Sequence, residues 1–272
     1  MARPYRGKIQ AVVFDWAGTI VDHGSRAPMG VFVEVFRRFG VEISVAEARG
    51  PMGLPKWQHI QAVGQQEAVA QRWQAAHGRA FADSDVDKIY EVFTPLNVEV
   101  IPQFADIIPG ALDTVAALRA SGVKIGSTTG YNRPIMDVLA PLAAAAGYTP
   151  DNLVCAGDLV EGRPSPLMMY RCFTDLGIWA PASVVKVDDT VPGIEEGLNA
   201  GTWTVGLAVS GNGFGLSAAE TAALPAAEHA RRRAAAARDL TLAGAHYVID
   251  SVADLLPVLE LIEGRLARGE QP

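Results

Sequence analysis

Short β-branched segments alternate with amphipathic segments along most of this chain, and this alternation constrains the possible folds strongly. The predicted strands are IQAVVFD, VKIGST, NLVCAG, SVVKVD, WTVGL and HYVID, at 9–15, 123–128, 152–157, 183–188, 203–207 and 246–250. Helical patterns alternate with the later strands near 110–121, 133–147, 165–177, 193–200 and 251–265. Such alternation is typical of parallel sheets that carry helices on both faces. We therefore predict an α/β fold with a doubly wound, Rossmann-like parallel sheet.

Residues 25–100 depart from this alternation. They contain no convincing strand, but several helical patterns such as MGVFVEVFRRFG and EAVAQRWQAAHG, and they end in the linker VIPQFADIIPG. We predict an α-helical cap domain at 25–100, inserted into an α/β core domain formed by 1–24 and 101–272. Ligands of such sheets bind beyond the carboxyl ends of the strands, so a cap that leaves after the first strand would lie over the site and could close like a lid.

Composition and charge narrow the class of protein. The 272 residues are 49% hydrophobic and 19% charged, as in an ordinary globular protein, and the net charge of −7 argues against nucleic acid or anionic membranes as partners. The two cysteines, Cys155 and Cys172, lack metal-ligand spacing and cannot build a disulfide framework. No stretch resembles a signal peptide or is long enough to cross a membrane. We therefore expect a cytoplasmic protein that binds neither nucleic acid nor membranes.

Polar residues collect where the predicted strands end. Asp15 follows the first strand, Thr128-Thr129-Gly130 the second, and Asp188-Asp189-Thr190 the strand at 183–188, while GRPSP around Arg163 opens the helix after 152–157. Each cluster alone could be a turn, a helix cap or a surface group. Four clusters at one edge of a parallel sheet predict a single site instead.

The glycine-rich stretch GNGFG at 211–215 invites a different interpretation. A dinucleotide-binding fingerprint needs a different glycine spacing and a helix directly afterwards. Neither is present, so we predict a flexible loop here.

The segments 12–22, 123–131, 162–166 and 187–194 resemble the core motifs of the haloacid dehalogenase superfamily of aspartate-nucleophile phosphotransferases, and the whole chain fits that plan. The resemblance implies a HAD-type core with Asp15 as the nucleophile. It also implies that Thr129 and Gly130 bind the phosphoryl oxygens and that Arg163 neutralises the phosphoryl group and the nucleophile. Hydroxyls, backbone N–H groups and a planar guanidinium suit a dianionic group.

The same resemblance implies a Mg²⁺ site. Its ligands would be Asp15, Asp189 and the main-chain carbonyl of Ala17, with Asp188 as a helper. The last superfamily motif often carries a second acid four residues on, but position 193 is Gly, so this chain fits the variant with adjacent acids. Mg²⁺ prefers few protein carboxylates supplemented by waters and phosphoryl oxygens, which agrees with this small set.

Ala17 is the main departure from the ordinary phosphatases of the superfamily, which carry a second Asp at this place as the general acid. Alanine keeps a carbonyl for the metal but cannot protonate a leaving group. An alkoxide would then have to depart unaided. The leaving group must therefore carry its own means of stabilisation, or the chain is a poor phosphatase.

The predicted cap offers such a means in PMGLPKWQHI, residues 51–60. Lys56 follows Pro55, which is favoured in the first turn of a helix, so its ammonium would lie near the positive end of the helix dipole. With burial under a closed cap its pKa could fall toward ~7–8, which suits an amine that forms a Schiff base. His59 lies three residues on, on the same helix face, placed to transfer protons. Taken alone, Lys56 would be read as a surface lysine.

A protonated imine accepts electrons from a breaking bond beside it, and a carbon-to-phosphorus bond fits that position. The segments FDWAGT, PMGLPKWQH, GSTTGY and GRPSP resemble the phosphonoacetaldehyde hydrolase (phosphonatase) family. This resemblance implies hydrolysis of phosphonoacetaldehyde to acetaldehyde and phosphate with Mg²⁺, in the catabolism of 2-aminoethylphosphonate. It makes Lys56 the Schiff-base lysine, His59 the proton-transfer group and Asp15 the nucleophile, with Met52 and Tyr131 lining the substrate site. A homodimer is implied by the resemblance alone.

Two other functions stay open at this point. One is a Mg²⁺-dependent phosphomonoesterase or phosphomutase acting on a small organophosphate, in which Lys56 merely binds a substrate anion. The other is a non-catalytic phosphoacceptor that uses Asp15 as a signalling receiver does. A receiver needs an open aspartate, and the large predicted cap argues against that.

Overall fold

The sheet has six parallel strands in the computed structural model, which describes residues 4–272. Residues 1–3, the start of the predicted 1–24 segment, lie outside the described residues. The strands are β1 (Ala11–Phe14), β2 (Lys124–Asn132), β3 (Val154–Ala156), β4 (Val184–Asp188), β5 (Trp203–Leu207) and β6 (Tyr247–Ile249). Their order is β3-β2-β1-β4-β5-β6, so the chain turns from one side of β1 to the other. The predicted doubly wound α/β fold is confirmed.

The helices after β1 have the following bounds. Five lie within residues 27–100: α1 (Ala27–Arg38), α2 (Val45–Arg49), α3 (Lys56–Gln65), α4 (Glu67–His77) and α5 (Asp83–Val100). The others are α6 (Ala111–Ala120), α7 (Arg133–Ala145), α8 (Leu167–Leu176), α9 (Val191–Asn199), α10 (Ala218–Ala222), α11 (Ala226–Leu242) and α12 (Leu255–Ala267). None of the helices of residues 4–272 is long and apolar enough to cross a bilayer.

Strand β1 illustrates why the core is two-sided. All four of its residues are buried, as expected for a strand covered on both faces. Successive side chains of a strand point to opposite faces. Val12 and Phe14 enter the larger apolar cluster, whereas Ala11 and Val13 pack in a second cluster with residues of α8. Strands β1 and β4 are neighbours at the point where the strand order reverses. Doubly wound folds bind their ligands at that point, beyond the carboxyl ends of the strands.

Helices α1 to α5, here called the helical insert (residues 27–100), pack on one another between β1 and β2. Phe32 of α1 lies 4.6 Å from Phe93 of α5, ring centroid to centroid, and both are fully buried. On the outer side of α1, Glu34 pairs with Arg37 and Arg38. The apolar face of α1 therefore packs against another helix of the insert. The division into two domains at 25–100 stays a prediction.

The linker between β1 and the insert has an unusual backbone. Asp22, Gly24 and Ser25 all have positive φ, at 53°, 88° and 48°. The Asp22 carboxylate accepts a hydrogen bond from the N–H of Ala27 at 2.8 Å, at the start of α1. Positive φ is costly for Asp and Ser, so contacts to the rest of the chain must hold this linker.

Candidate active site

Asp15 and Arg163 are in direct contact beyond the carboxyl ends of the strands. Asp15 follows β1, and its N–H donates to the Val187 carbonyl of β4 at 3.0 Å. Arg163 donates through Nη2 to Asp15 Oδ1 at 2.8 Å and to the Thr128 carbonyl at 2.9 Å. The Arg163 side chain is only 1% exposed. The Arg163 guanidinium, which the Thr128 carbonyl holds in place, therefore orients the Asp15 carboxylate.

A buried charge network lies behind Arg163. Its Nε donates to Glu196 Oε2 at 3.0 Å, and Lys186 Nζ lies 3.2 Å from the same oxygen. Lys186 also donates to Thr128 Oγ1 at 2.7 Å and lies 3.1 Å from Asp188 Oδ2. Neither Lys186 nor Glu196 was among the residues predicted for the site. The available signal was that Lys186 stands two residues before Asp188 on β4, and residues i and i+2 of a strand share a face.

Three carboxylates form an acidic cluster. Ligand oxygens of Asp15, Asp188 and Asp189 lie within 4.8 Å of one another, and all three residues are buried. Burial, with repulsion from Asp188, raises the pKa of Asp15 to about 6. Burial and repulsion from Asp15 and Asp188 also raise the pKa of Asp189 well above its usual value. Burial would raise the pKa of Asp188 as well, but the charges of Arg163 and Lys186 hold it below its usual range.

This cluster fits a divalent metal ion. Asp189 Oδ2 accepts a hydrogen bond from the Asn212 N–H at 2.7 Å, whereas Oδ1 is buried without a hydrogen-bond partner among residues 4–272. An unpaired carboxylate oxygen inside a protein is costly unless a cation or donor meets it. Ala17 lines the adjoining cavity. A hard divalent cation prefers oxygen ligands, and a few carboxylates are among the ligands it takes in proteins.

Lys56 brings an amine from the insert to the same place. It is the first residue of α3, with Pro55 just before the helix, and it is only 4% exposed. The ion pairs found among residues 4–272 do not include Lys56; its Nζ lies 4.9 Å from the Tyr131 ring centroid. Burial lowers the pKa of Lys56 to about 8, although the charge of Asp15 opposes the shift. A substantial neutral fraction at neutral pH makes this amine nucleophilic.

His59 lies behind Lys56 and does not line the cavity. Its Nε2 lies 2.7 Å from the Ala48 carbonyl, and its ring stacks on Phe32 with centroids 4.0 Å apart. Because a carbonyl only accepts, Nε2 carries the proton and Nδ1 is left as a base; Nδ1 is buried without a partner in the described chain. Burial and the neighbouring Lys56 charge keep the pKa of His59 well below 6.5, so the ring is neutral.

The cavity between sheet and insert is small. It is lined by Asp15, Ala17, Ser25, Met52, Gly53, Lys56, Thr129, Gly130, Tyr131, Arg163 and Thr190. Its volume of ≈ 20 Å³ leaves room for about one water molecule. A ligand larger than water therefore does not fit in the cavity as it stands. Of the residues predicted from the sequence, His59, Asp188 and Asp189 do not belong to this lining.

Glycines allow the insert to approach the sheet closely. A Cβ on Gly53, which has φ +98°, would lie 2.3 Å from Thr190 Oγ1, and one on Gly130 would lie 3.0 Å from the Leu54 carbonyl oxygen. Ser25 and Gly53 were not among the residues predicted for the site, and Thr190 was predicted only as a member of the polar cluster after β4, without a role of its own. Thr190 directly follows the acidic pair, which was the signal available for it. Strand β2 also extends through Gly130, beyond the predicted end at 128, because its later residues pair with β3 across an irregularity.

Comparisons with known proteins identify the family to which the chain belongs. The family model for haloacid dehalogenase-like hydrolases matches residues 9–201. The chain is 55% identical to the phosphonoacetaldehyde hydrolase of Paraburkholderia xenovorans over 97% of this chain and 99% of that protein. It is 54% identical to that of Klebsiella pneumoniae, with the same two coverages.

Solved structures agree as well. A phosphonoacetaldehyde hydrolase-like protein from Oleispira antarctica superposes with a TM-score of 0.98 at 42% identity, covering 100% of this chain and 99% of that one. A β-phosphoglucomutase from Clostridium difficile, at 16% identity and a TM-score of 0.66 over 94% of this chain and 98% of its own, shares the fold alone. The chain is thus an enzyme that belongs to the phosphonoacetaldehyde hydrolase family of haloacid dehalogenase-like hydrolases.

Proposed function

We propose that the chain hydrolyses the carbon–phosphorus bond of phosphonoacetaldehyde, giving acetaldehyde and phosphate. The observation that carries this proposal is that the Lys56 amine and the Asp15 carboxylate line one small cavity in which position 17 offers no acid. A leaving carbon needs no proton if an imine accepts its electrons. The names of the relatives support the same substrate.

The first step is formation of an imine on Lys56. The neutral amine attacks the aldehyde carbon, the carbonyl oxygen leaves as water, and the imine nitrogen is protonated. The lowered pKa of Lys56, about 8, supports this role because only the unprotonated amine is a nucleophile. Met52 and Tyr131 flank the amine in the cavity and would confine the short substrate.

The second step is cleavage of the carbon–phosphorus bond. An oxygen of Asp15 attacks phosphorus, forming an oxygen–phosphorus bond while the carbon–phosphorus pair moves toward the imine nitrogen, which gives an enamine and an aspartyl-phosphate. Arg163, fixed by Glu196 and Thr128, would hold Asp15 in line and offset the phosphonate charge. Thr129 and Gly130, which line the cavity, would bind the phosphoryl oxygens.

Water completes the cycle. Protonation of the enamine carbon restores the imine, which one water hydrolyses to acetaldehyde and free Lys56. A second water hydrolyses the aspartyl-phosphate, so one water is consumed overall. We assign the proton transfers to His59 acting through Lys56, because its neutral ring stands three residues after Lys56 on α3 and its Nδ1 has no hydrogen-bond partner among residues 4–272.

The metal we propose is Mg²⁺, held by Asp15, Asp189 and the carbonyl of Ala17, with Asp188 as a helper. When bound, it would reduce the repulsion between a carboxylate and an anionic phosphorus group. We further propose that residues 25–100 act as a cap domain that opens to admit substrate, and that the enzyme is a cytoplasmic homodimer.

Borohydride trapping tests the proposal. With phosphonoacetaldehyde, reduction should attach a two-carbon or phosphonoethyl adduct to Lys56, seen by peptide mass spectrometry, and should abolish turnover. Lys56→Arg should lose both adduct and phosphate release, whereas Lys88→Arg, at an exposed lysine of the same insert, should keep both. Borohydride-insensitive turnover of phosphate esters would instead favour a phosphomonoesterase or phosphomutase.

A further inference from the structure

Arg49, the last residue of α2, joins the helical insert to the sheet side of the molecule. Its Nη1 donates to the Gly24 carbonyl and to Asn212 Oδ1, both at 2.9 Å. Its Nη2 donates to the Gly215 carbonyl at 3.2 Å. Within the described chain every acceptor of this guanidinium is a neutral carbonyl or amide oxygen. A charged donor shared among several fixed oxygens is a strong but directional contact.

The 211–215 loop, predicted from GNGFG, lies between Arg49 and the acidic cluster. On one side, the Asn212 N–H donates to Asp189 Oδ2 at 2.7 Å. On the other, a Cβ on Gly215 (φ +73°) would lie 3.0 Å from Arg49 Cζ. A Cβ on Gly211 would lie 2.4 Å from Asp189 Cβ. The glycines therefore let one short loop touch both the insert's arginine and the proposed metal ligand.

Arg49 also contacts the linker that leads into the insert. Besides Gly24, it donates to the Ser25 carbonyl at 3.3 Å. Both residues have positive φ, which is costly at Ser25 and marks the segment where the chain direction changes. One guanidinium thus spans the insert, its linker and the 211–215 loop, and the segment that follows it carries Met52 and Lys56 into the cavity.

We propose that Arg49 is a positioning residue that holds the insert closed and couples closure to the placement of Asp189 through Asn212. Loss of these contacts would release the segment carrying Lys56 and loosen the loop that orients Asp189. Such coupling is reciprocal. If closure of the insert tightens metal binding at Asp189 by some factor, the bound metal ion should favour closure by the same factor. The meaning of closure for catalysis and the metal ion at Asp189 rest on the proposed function; the contacts by which Arg49 holds the insert do not.

Access of an acylating reagent to Lys56 tests this proposal without any substrate. In wild type with Mg²⁺ and inorganic phosphate, N-hydroxysuccinimidyl acetate should modify Lys56 slowly, because the closed insert leaves it 4% exposed. Arg49→Ala should speed its modification roughly tenfold, the loss expected for contacts of a charged donor. Arg37→Ala, at an exposed arginine of the insert whose one ion pair among residues 4–272 is with Glu34, should leave the rate unchanged.

A second variant distinguishes the loss of the contact with the 211–215 loop from a general destabilisation of the fold. Asn212→Ala removes the Oδ1 acceptor but keeps the N–H that reaches Asp189, so it should speed modification of Lys56 less than Arg49→Ala. Asn212→Ala also removes a long hydrogen bond from Nδ2 to the Arg49 carbonyl, at 3.5 Å, which Arg49→Ala keeps. The double variant should therefore be only slightly faster than Arg49→Ala and slower than the product of the two single effects, because the two side chains share the Nη1–Oδ1 contact. If Arg49→Ala does not fold, as judged by circular dichroism, Asn212→Ala decides the question by itself.

Mg²⁺ binding supplies the other half of the test. Titration calorimetry should show weaker Mg²⁺ binding in Arg49→Ala, and Mg²⁺ should no longer slow modification of Lys56 in that variant. A folded variant with the wild-type labelling rate, or with unchanged dependence on Mg²⁺, would overturn the proposal. Absence of phosphonoacetaldehyde turnover in wild type would refute the proposed function while leaving these labelling results intact.

Discussion

The protonation state of Lys56 gives a quantitative test of the imine chemistry. Burial lowers its pKa from 10.5 to about 8. At pH 7 such an amine is about 9% neutral, whereas an ordinary lysine is about 0.03% neutral, a difference of roughly 300-fold in reactive amine. This shift corresponds to about 3 kcal/mol of differential stabilisation of the neutral form.

The assay uses Asp15→Asn, which should be unable to cleave the carbon–phosphorus bond, so that the imine with phosphonoacetaldehyde accumulates. The rate of cyanoborohydride trapping on Lys56 is measured against pH, with exposed Lys88 as the internal reference for the reagent. Asp15 raises the pKa of Lys56, so its neutralisation should move the midpoint below about 8. A midpoint near 10.5, or adducts at Lys88 as abundant as those at Lys56, would refute the assignment of Lys56 as a preactivated amine.

The remaining predictions concern the metal and the two buried lysines. Mg²⁺ affinity measured by calorimetry should fall as pH drops through about 6, because protons compete for Asp15, whose pKa is raised to that value. Lys56→Met should abolish activity yet raise the free energy of unfolding at pH 7 by up to about 3 kcal/mol in urea titrations. The unfolded chain binds the extra proton between about pH 8 and 10.5, so the penalty of Lys56 is complete below that window and absent above it. Lys186→Met should instead destabilise by about 3 kcal/mol, because Glu196 and Asp188 lose a buried counter-charge; equal effects of the two lysine substitutions would contradict this contrast.

Much of the fold could be predicted locally. A run such as AVVF and the amphipathic pattern of α1 depend on side-chain periodicity within a few residues, and the predicted strands and helices agree with the structure to within a few residues at most ends. The strand ends bearing Asp15 and Asp189 were predicted for the same reason. The missing acid at position 17, and then the motif resemblance, added Lys56, which periodicity alone would have left on the surface.

The amino-acid sequence by itself determined which segments form strands and helices along the chain. It also determined the residue types at the strand ends and the missing acid at position 17. Each of these features depends on a short stretch of chain. Only the tertiary structure decided which distant groups meet. The Lys186–Glu196 network behind Arg163 and the contact of Arg49 with the 211–215 loop join segments far apart in the chain, so no local pattern reports them. The lowered pKa of Lys56 was expected from the sequence only on the condition that Lys56 is buried, and the tertiary structure supplies that burial. Desolvation is the sum of all neighbours that exclude water from the amine, and those neighbours come from both the sheet and the insert.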